Sequence, residues 1–266
     1  MKLLVTGGAG YLGAEVCRLA VERGDEVLAT RLRREPPYGR AVELDVRDAE
    51  AVARTLLRHG PDAVIHTAYV QHGDEMEPTI VRGSYAVAEA GHRSGARLIH
   101  LSTDLVFDGE HGAPYAEDAE PRPIMAYGQA KLDAERLVLQ AHPQATVVRT
   151  SLLYGRPGGP QEALALREDV TFYRDEIRCP TRVDELAAAV LELVPLAHPG
   201  PLHLAGPDAV SRYELARVLR ARAGGDPRTV RSAESAGSGR ARNVALDSTR
   251  GARLLGTALS GIGRSA

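Results

Sequence analysis

Short runs of apolar residues, each followed by a segment with helical periodicity, restrict the fold of this chain more than any other feature. Strands that are apolar along their whole length, without alternation, are typical of parallel sheets covered by helices on both faces. Six such runs lie at 3–5, 27–29, 42–44, 63–66, 98–101 and 146–149. Helical patterns separate them at 11–22, after Asp48, at 80–92 and at 127–140. The sequence therefore predicts an α/β fold with a doubly wound parallel sheet.

Beyond Thr150 the signals become shorter and more mixed. Helices are predicted at 183–193 and 211–222, and a closing segment at 246–255. The stretch 232–239 is rich in Ser, Gly and Ala, so we expect a mobile loop there. We predict a nucleotide-binding domain at 1–150 and a smaller substrate-binding lobe at 151–266, interleaved with the sheet.

Composition excludes several classes of function. A chain of 266 residues with a formal net charge of −2 lacks the basic surface that nucleic acids require. No apolar run approaches the roughly 20 residues that span a bilayer, so we expect no membrane association. Cys17 and Cys179 lie far apart without metal-ligand spacing, which favours a reduced cytoplasmic setting and no metal site. A monomer and a homodimer both remain open.

A glycine-rich turn follows the first predicted strand, at Thr6-Gly7-Gly8-Ala9-Gly10-Tyr11-Leu12-Gly13. Glycines there let the backbone approach a pyrophosphate, and the N-terminus of the next helix supplies free N–H groups. An ordinary strand-to-helix turn is the alternative, but the position at the first such junction favours the dinucleotide site of a Rossmann domain. We predict that Gly7, Gly10, Tyr11, Leu12 and Gly13 contact the cofactor.

The end of the second strand indicates which cofactor is used. NAD-binding domains usually place an acidic residue there for the adenosine ribose, whereas this chain has Thr30 and Arg31, with Arg33 and Arg34 close behind. Such a cluster suits the 2′-phosphate of NADP, although a solvated basic loop is the alternative. Asp45 and Val46 follow the third strand and are predicted to contact the adenine, with an N-cap role open for Asp45.

A second group of residues is suited to carbonyl chemistry. Ser102 and Thr103 end the fifth predicted strand, and Tyr127 and Lys131 lie four residues apart on one helix face. A neighbouring ammonium favours the phenolate of a tyrosine, which helps the phenol act as an acid near neutral pH. Of 33 basic residues only Lys2 and Lys131 are lysine, so Lys131 stands out. An exposed helix pair is the alternative interpretation.

Several segments together resemble the dTDP-4-dehydrorhamnose reductase family within the extended short-chain dehydrogenase/reductases. The most specific segment is Ser-Thr-Asp-Leu-Val-Phe-Asp-Gly at 102–109. Further matches lie at Arg149-Thr150-Ser151, Tyr154-Gly155, Cys179-Pro180-Thr181, His203-Leu204-Ala205-Gly206, Arg242-Asn243 and Leu246-Asp247. The resemblance spans nearly the whole chain and implies an NADPH-dependent reductase that transfers hydride to the keto group of a nucleotide-activated deoxysugar.

The resemblance also implies roles for individual residues. Thr103, Tyr127 and Lys131 would be the catalytic set, and Ala68 and Tyr69 would line the cofactor. On the substrate side the corresponding residues are Thr103, Asp104 and Leu152. Arg178 and Arg242 could reach a nucleotide diphosphate, because arginines suit phosphate oxygens, and plain surface positions are the alternative.

The chain departs from the family pattern mainly on the substrate side. Leu152 stands where a tryptophan is usual, the 155–170 loop is short, and His66-Thr67-Ala68 replaces Asn-Ala-Ala. An epimerase on the same scaffold and a non-catalytic NADP-binding regulatory subunit are the alternatives. His66 could relay protons or be a hydrogen-bonded core residue.

Overall fold

The computed structural model describes residues 1–196 and 198–263. Its strands are β1 (Lys2–Thr6), β2 (Glu26–Arg31), β3 (Arg40–Glu43), β4 (Ala63–His66), β5 (Arg97–Thr103), β6 (Thr146–Thr150), β7 (Leu153–Tyr154), β8 (Thr171–Tyr173), β9 (Ile177–Arg178), β10 (Thr181–Arg182), β11 (Gly200–His203), β12 (Val210–Ser211) and β13 (Arg231–Ala233). Its α-helices are α1 (Tyr11–Glu22), α2 (Ala49–His59), α3 (Gly83–Ser94), α4 (Ala126–Ala141), α5 (Pro160–Ala165), α6 (Val183–Leu193), α7 (Arg212–Arg222) and α8 (Thr249–Leu254).

A seven-stranded sheet runs in the order β11-β6-β5-β4-β1-β2-β3. The pairings of β1 with β2 and β4, of β2 with β3 and of β4 with β5 are parallel. The strand order reverses between β1 and β4, and ligands of such sheets bind at the carboxyl ends of the strands beside this reversal. The predicted fold class is confirmed.

Contacts divide the chain into two units. The first comprises Met1–Ser102, Gln129–Val148 and Ala187–Leu202, and the second comprises Thr103–Gly128, Arg149–Leu186 and the chain from His203 onward. The core of the first unit is aliphatic, with fully buried Leu4, Leu28 and Val64 from neighbouring strands. The second unit has its own core, which includes Tyr154, Phe172 and Leu219. Small sheets surround that core, pairing β7 with β10, β8 with β13 and β9 with β12.

Local signals explain where several helices begin and end. The Asp48 side chain accepts a hydrogen bond from the Ala51 N–H at the start of α2, and Gly60 ends that helix in the left-handed region at φ +52°. Ser211 and Glu214 form a capping box at the start of α7. No helix within 1–196 and 198–263 is long and apolar enough to cross a bilayer.

Two expectations need correction. The predicted helix at 80–92 begins earlier, with a π-helical turn at Pro78–Arg82 that leads into α3. The 232–239 stretch is not a loop throughout, because β13 pairs with β8 and Ser235 hydrogen-bonds to Asp175 through both its N–H and its hydroxyl, each at 2.8 Å. Those partners lie about 60 residues earlier in the chain, so local composition could not indicate them.

Candidate active site

The glycine turn between β1 and α1 is folded tightly around its own backbone. Gly7 has φ +71°, and its carbonyl accepts a hydrogen bond from the Gly10 N–H at 2.8 Å. A Cβ on Gly13 would collide with that same carbonyl, and one on Gly7 would lie 3.0 Å from the Ala68 Cα. The close approach of these backbones therefore requires glycine at positions 7 and 13.

The N-terminus of α1 is suited to an anion. Gly10 is its N-cap, and among the described residues no side chain caps it and no acidic residue lies in its first turn. The first N–H groups of a helix have no partner within the helix and carry the positive end of its dipole. The turn and the start of α1, with Tyr11 and Leu12, thus offer the geometry that a pyrophosphate needs.

Thr30 and Arg31 end β2 beside this turn. The Thr30 hydroxyl accepts a hydrogen bond from the Gly7 N–H at 3.2 Å, so Thr30 supports the turn itself. The Arg31 guanidinium lies 2.9 Å from a Glu35 carboxylate oxygen and 3.6 Å from one of Glu43. An incoming phosphate would therefore have to compete with these two carboxylates for Arg31.

Asp45 is paired with an arginine that the sequence analysis did not single out. The Arg47 guanidinium donates to the Asp45 carboxylate at 2.6 Å and lies 2.9 Å from Glu75, and this pairing holds the pKa of Asp45 below its usual value. The N-cap alternative for Asp45 is wrong, because Asp48 caps α2. Val46 is buried, and its Cγ2 would lie 2.8 Å from a Cβ on Gly83.

The residues after β4 pack against β1. The Thr67 hydroxyl donates to the Thr6 carbonyl at 2.7 Å, which holds this segment beside the glycine turn. Ala68 is the next residue in this segment. The Tyr69 ring is about half exposed, and its centroid lies 5.5 Å from the Lys131 Nζ. Tyr69 and Lys131 therefore approach each other at the carboxyl ends of the strands.

His66 is a hydrogen-bonded core residue. Its Nδ1 pairs with the Thr6 hydroxyl at 2.6 Å and its Nε2 with the Ser84 hydroxyl at 3.0 Å. Burial, together with the charge of Lys131, lowers its pKa to about 3. The ring stacks on His100 with a centroid separation of 5.3 Å, and burial keeps the pKa of His100 well below normal as well. Both imidazoles are therefore neutral near physiological pH.

Lys131 carries its charge in a buried position on α4. Its side chain is only 5% exposed, and its Nζ donates to the Leu101 carbonyl at 2.9 Å. Burial lowers its pKa to about 8, and the carboxylate of Glu135 acts in the opposite direction. Tyr127 lies one helical turn before Lys131 on α4 and is half buried. The geometry does not fit the alternative of an exposed helix pair.

Glu135 is a buried acid that sequence reasoning missed. It lies one turn after Lys131 and accepts a hydrogen bond from the Ser102 hydroxyl at 2.5 Å. The signal was present in the spacing, since Tyr127, Lys131 and Glu135 recur every four residues along one helix face. A carboxylate in this position favours the charged form of Lys131.

In the second unit, Thr103 and Asp104 are engaged with protein groups. The Thr103 hydroxyl donates to Asp104 Oδ1 at 3.1 Å and accepts from the Leu105 N–H at 3.2 Å. Asp104 is 3% exposed, and its Oδ2 accepts from the Ser151 hydroxyl at 2.6 Å. The carboxylate of Asp104, predicted to face a sugar, is thus already bonded to two hydroxyl groups of the protein.

Arg178 lies in a buried group of charges in the same unit. Its Nη2 donates to Glu176 at 3.0 Å and its Nε lies 3.9 Å from Asp104. Glu176 also lies 3.7 Å from Arg212 and 3.4 Å from Arg240. The buried Arg178 Nη1 has no hydrogen-bond partner within the described part of the chain.

Leu152 and Arg242 are the other two substrate-side residues named from the sequence. Leu152 is half buried and packs against the core around Tyr154. Arg242 is about 60% exposed and lies 3.5 Å from Asp175.

The family model described as the RmlD substrate binding domain matches residues 1–260. The chain belongs to this family.

Two named reductases are similar to this chain over most of their length. The dTDP-4-dehydrorhamnose reductase of Mycobacterium tuberculosis is 34% identical over 252 residues, covering 88% of this chain and 80% of the relative. The dTDP-4-keto-6-deoxy-D-glucose reductase of Streptomyces niveus is also 34% identical, over 247 residues, covering 88% and 83%. Both names describe reductases of keto sugars, and the prediction of an oxidoreductase of this family is confirmed.

A solved RmlD-type structure shows the same fold. The dTDP-4-dehydrorhamnose reductase of Bacillus anthracis, solved in complex with NADP, superimposes with a TM-score of 0.82 over 98% of this chain and 96% of that protein, at 23% identity. This similarity supports the α/β fold described above.

The electrostatics of Lys131 give a prediction that needs no substrate. Only two lysines are present, so protein grown with ¹³Cε-lysine should show two side-chain resonances, which Lys2→Arg would assign. We expect the Lys131 resonance to titrate near pH 8, because burial penalises its charged form. Glu135→Gln should lower that pKa further, since it removes the opposing carboxylate. Titration of Lys131 at the ordinary 10.5, with no response to Glu135→Gln, would contradict this electrostatic account.

Proposed function

We propose that this protein is an NADPH-dependent reductase that converts the 4-keto group of a dTDP-linked 6-deoxysugar into a hydroxyl. The observation that carries the proposal is the α4 geometry, in which Tyr127 precedes a buried, charged Lys131 by one helical turn. Both relatives at 34% identity are named as reductases of dTDP-linked 4-keto sugars, which supports this class of substrate.

The residues of the first unit fit a dinucleotide. A Cβ at Gly13 would collide with the Gly7 carbonyl, so the turn stays tight. Among the described residues no side chain caps the N-terminus of α1, which leaves its first N–H groups for a pyrophosphate. We assign Gly7, Gly10, Tyr11, Leu12 and Gly13 to the pyrophosphate. Thr30 and Arg31 belong to the adenosine ribose with its 2′-phosphate, Asp45 and Val46 to the adenine, and Ala68 and Tyr69 to the nicotinamide half. When bound, NADPH supplies the hydride.

The roles of the catalytic set follow from proton chemistry. As the keto carbon is reduced, its oxygen gains negative charge and takes a proton from the Tyr127 phenol. The Lys131 ammonium favours the phenolate that remains and binds the nicotinamide ribose hydroxyls. The Thr103 hydroxyl donates a hydrogen bond to the same oxygen and stabilises its developing charge.

The second unit supplies the groups that suit a sugar nucleotide. The Nη1 of buried Arg178 has no hydrogen-bond partner among the described residues and is a charged donor suited to a phosphate oxygen of the diphosphate. Leu152 offers an apolar contact for the sugar. We assign residues 1–150 mainly to the cofactor and 151–266 mainly to the substrate, in a cytoplasmic enzyme that acts as a monomer or homodimer.

Substitutions at Tyr127 and Lys131 should fail in different ways. Tyr127→Phe removes the proton donor, so turnover of the 4-keto sugar should fall by about 10²–10⁴-fold while the Kd for NADPH changes little. Lys131→Arg keeps the charge but replaces a compact ammonium with a planar, bulkier group, so rate and NADPH affinity should fall together. Stopped-flow NADPH oxidation and fluorescence titration measure the two quantities.

Lys2→Arg is the matched control for Lys131→Arg, since it makes the same exchange outside the site. Near-wild-type turnover in both Tyr127→Phe and Lys131→Arg, on a substrate that the wild type reduces, would show that the pair has no catalytic role. Tight NADPH binding with no turnover of any nucleotide sugar would favour a non-catalytic subunit.

The environment of Arg31 predicts the cofactor preference. NADPH should bind more tightly than NADH, and Arg31→Ala should cost about 1.5–3 kcal/mol of NADPH binding for each charge-assisted hydrogen bond lost, roughly 10- to 100-fold in Kd. Glu43→Gln should do the opposite and strengthen NADPH binding, because it removes a carboxylate that competes for Arg31. Fluorescence titration with both cofactors measures this, and an unchanged preference in Arg31→Ala would overturn the assignment.

A further inference from the structure

The Thr103 hydroxyl has a single proton, and the structure shows where that proton goes. It is donated to Asp104 Oδ1 at 3.1 Å, while the Thr103 oxygen accepts from the Leu105 N–H at 3.2 Å. A hydroxyl offers one donor and two acceptor positions. In this arrangement Thr103 has an acceptor position left, but its proton is committed to Asp104. The Thr103 hydroxyl cannot donate a full hydrogen bond to a keto oxygen at the same time.

The second oxygen of Asp104 is held equally firmly. Oδ2 accepts from the Ser151 hydroxyl at 2.6 Å, and the Ser151 oxygen in turn accepts from the Cys179 N–H at 3.2 Å. Asp104 is 3% exposed, so little water reaches it. The orientation of its carboxyl plane is therefore fixed by Thr103 on one side and Ser151 on the other.

The charges that face Asp104 come from several elements of the second unit. The Arg178 guanidinium lies 3.9 Å from Oδ2, and Glu176, Arg212 and the Cys179 thiol also interact electrostatically with Asp104. Burial raises the pKa of Asp104, while Arg178, Ser151 and Thr103 act to lower it and Glu176 to raise it. The net result is a pKa above the ordinary 3.8.

We propose that Asp104 is a positioning residue whose protonation decides which way the Thr103 hydroxyl points. When Asp104 is charged, it takes the Thr103 proton, as the structure shows. When Asp104 is protonated, its own O–H can donate to the Thr103 oxygen, which then accepts from both Asp104 and the Leu105 N–H. The Thr103 proton is released and can point at the keto oxygen.

This inference rests on the proposed function, because the Thr103 hydroxyl can only assist the reaction if a keto oxygen accepts its hydrogen bond. It goes beyond that function by giving Asp104 a task other than contact with the sugar. The same role also accounts for the burial of an acid directly beside Thr103. Removing one donor from a developing oxyanion typically costs about 10²–10³-fold in rate. Loss of the Thr103 donor at high pH should therefore be readily measurable.

The test is the pH dependence of kcat with a 4-keto nucleotide sugar. In the wild type kcat should fall by up to about 10²-fold as pH rises through the pKa of Asp104. Asp104→Asn should lose this decline and be faster than the wild type at pH values above it. The amide N–H can donate to Thr103 as the protonated acid does, and the amide oxygen can still accept from Ser151. Asp169→Asn makes the same exchange at an exposed site and should leave the profile unchanged.

A second variant tests the same chain of hydrogen bonds without altering Asp104. Ser151→Ala removes a bond that lowers the pKa of Asp104, so the decline in kcat should move to higher pH. Ser151→Thr, which keeps the hydroxyl, should restore it toward the wild-type position. A purely structural role for Asp104 would lower activity at every pH and would not shift the profile.

The possible failures can be told apart. If the wild type reduces a 4-keto sugar and Asp104→Asn and Ser151→Ala leave its pH profile unmoved, this inference is wrong and the proposed function stands. If the wild type reduces no nucleotide sugar at any pH while NADPH binds, the proposed function fails and the inference falls with it.

Discussion

The burial of the charged Lys131 ammonium is the constraint on which the rest of the candidate site depends. Moving such a charge out of water costs several kcal/mol even after the protein relaxes. The structure offsets that cost with the Leu101 carbonyl at 2.9 Å and with the nearby carboxylate of Glu135. The same positive charge, with burial, keeps His66 and His100 neutral. A lysine suits this position because its ammonium is compact and its pKa shifts readily on burial.

The last two residues of β5 are hydroxyl residues, and each of them donates a hydrogen bond to a buried acid. Successive side chains of a strand point to opposite faces, and here two adjacent hydroxyl residues each meet a buried acid. Ser102 donates to Glu135 and Thr103 donates to Asp104. Glu135 acts on the charge of Lys131, whereas Asp104 acts on the direction of the Thr103 proton. In the mechanism that we propose, this pair of neighbouring residues serves two different requirements of carbonyl reduction.

Local sequence predicted much of the fold and the outline of the site. The apolar run at Ala63–His66 is β4 as predicted, because a fully buried strand carries its signal in every residue. α1 and α6 also have their predicted bounds. The sequence predicts the edge strand β3 about two residues too late, because its exposed residues do not follow a burial pattern. The distant partners of Arg31, Arg47 and Asp104 could not be predicted in the same way. Glu43 reaches Arg31, Glu75 reaches Arg47 and Ser151 reaches Asp104 only through the tertiary fold.

Hydride transfer from NADPH to the sugar can be tested most directly by following the transferred hydrogen. NADPH carrying deuterium at both C4 positions of the nicotinamide is incubated with the protein and a dTDP-4-keto-6-deoxysugar, and the product is analysed by NMR and mass spectrometry. We expect one deuterium per molecule of product, bonded to the sugar C4 that also carries the new hydroxyl group. One NADPH should be oxidised for each molecule of product. Oxidation of NADPH without deuterium at C4, or product formation without NADPH oxidation, would contradict it.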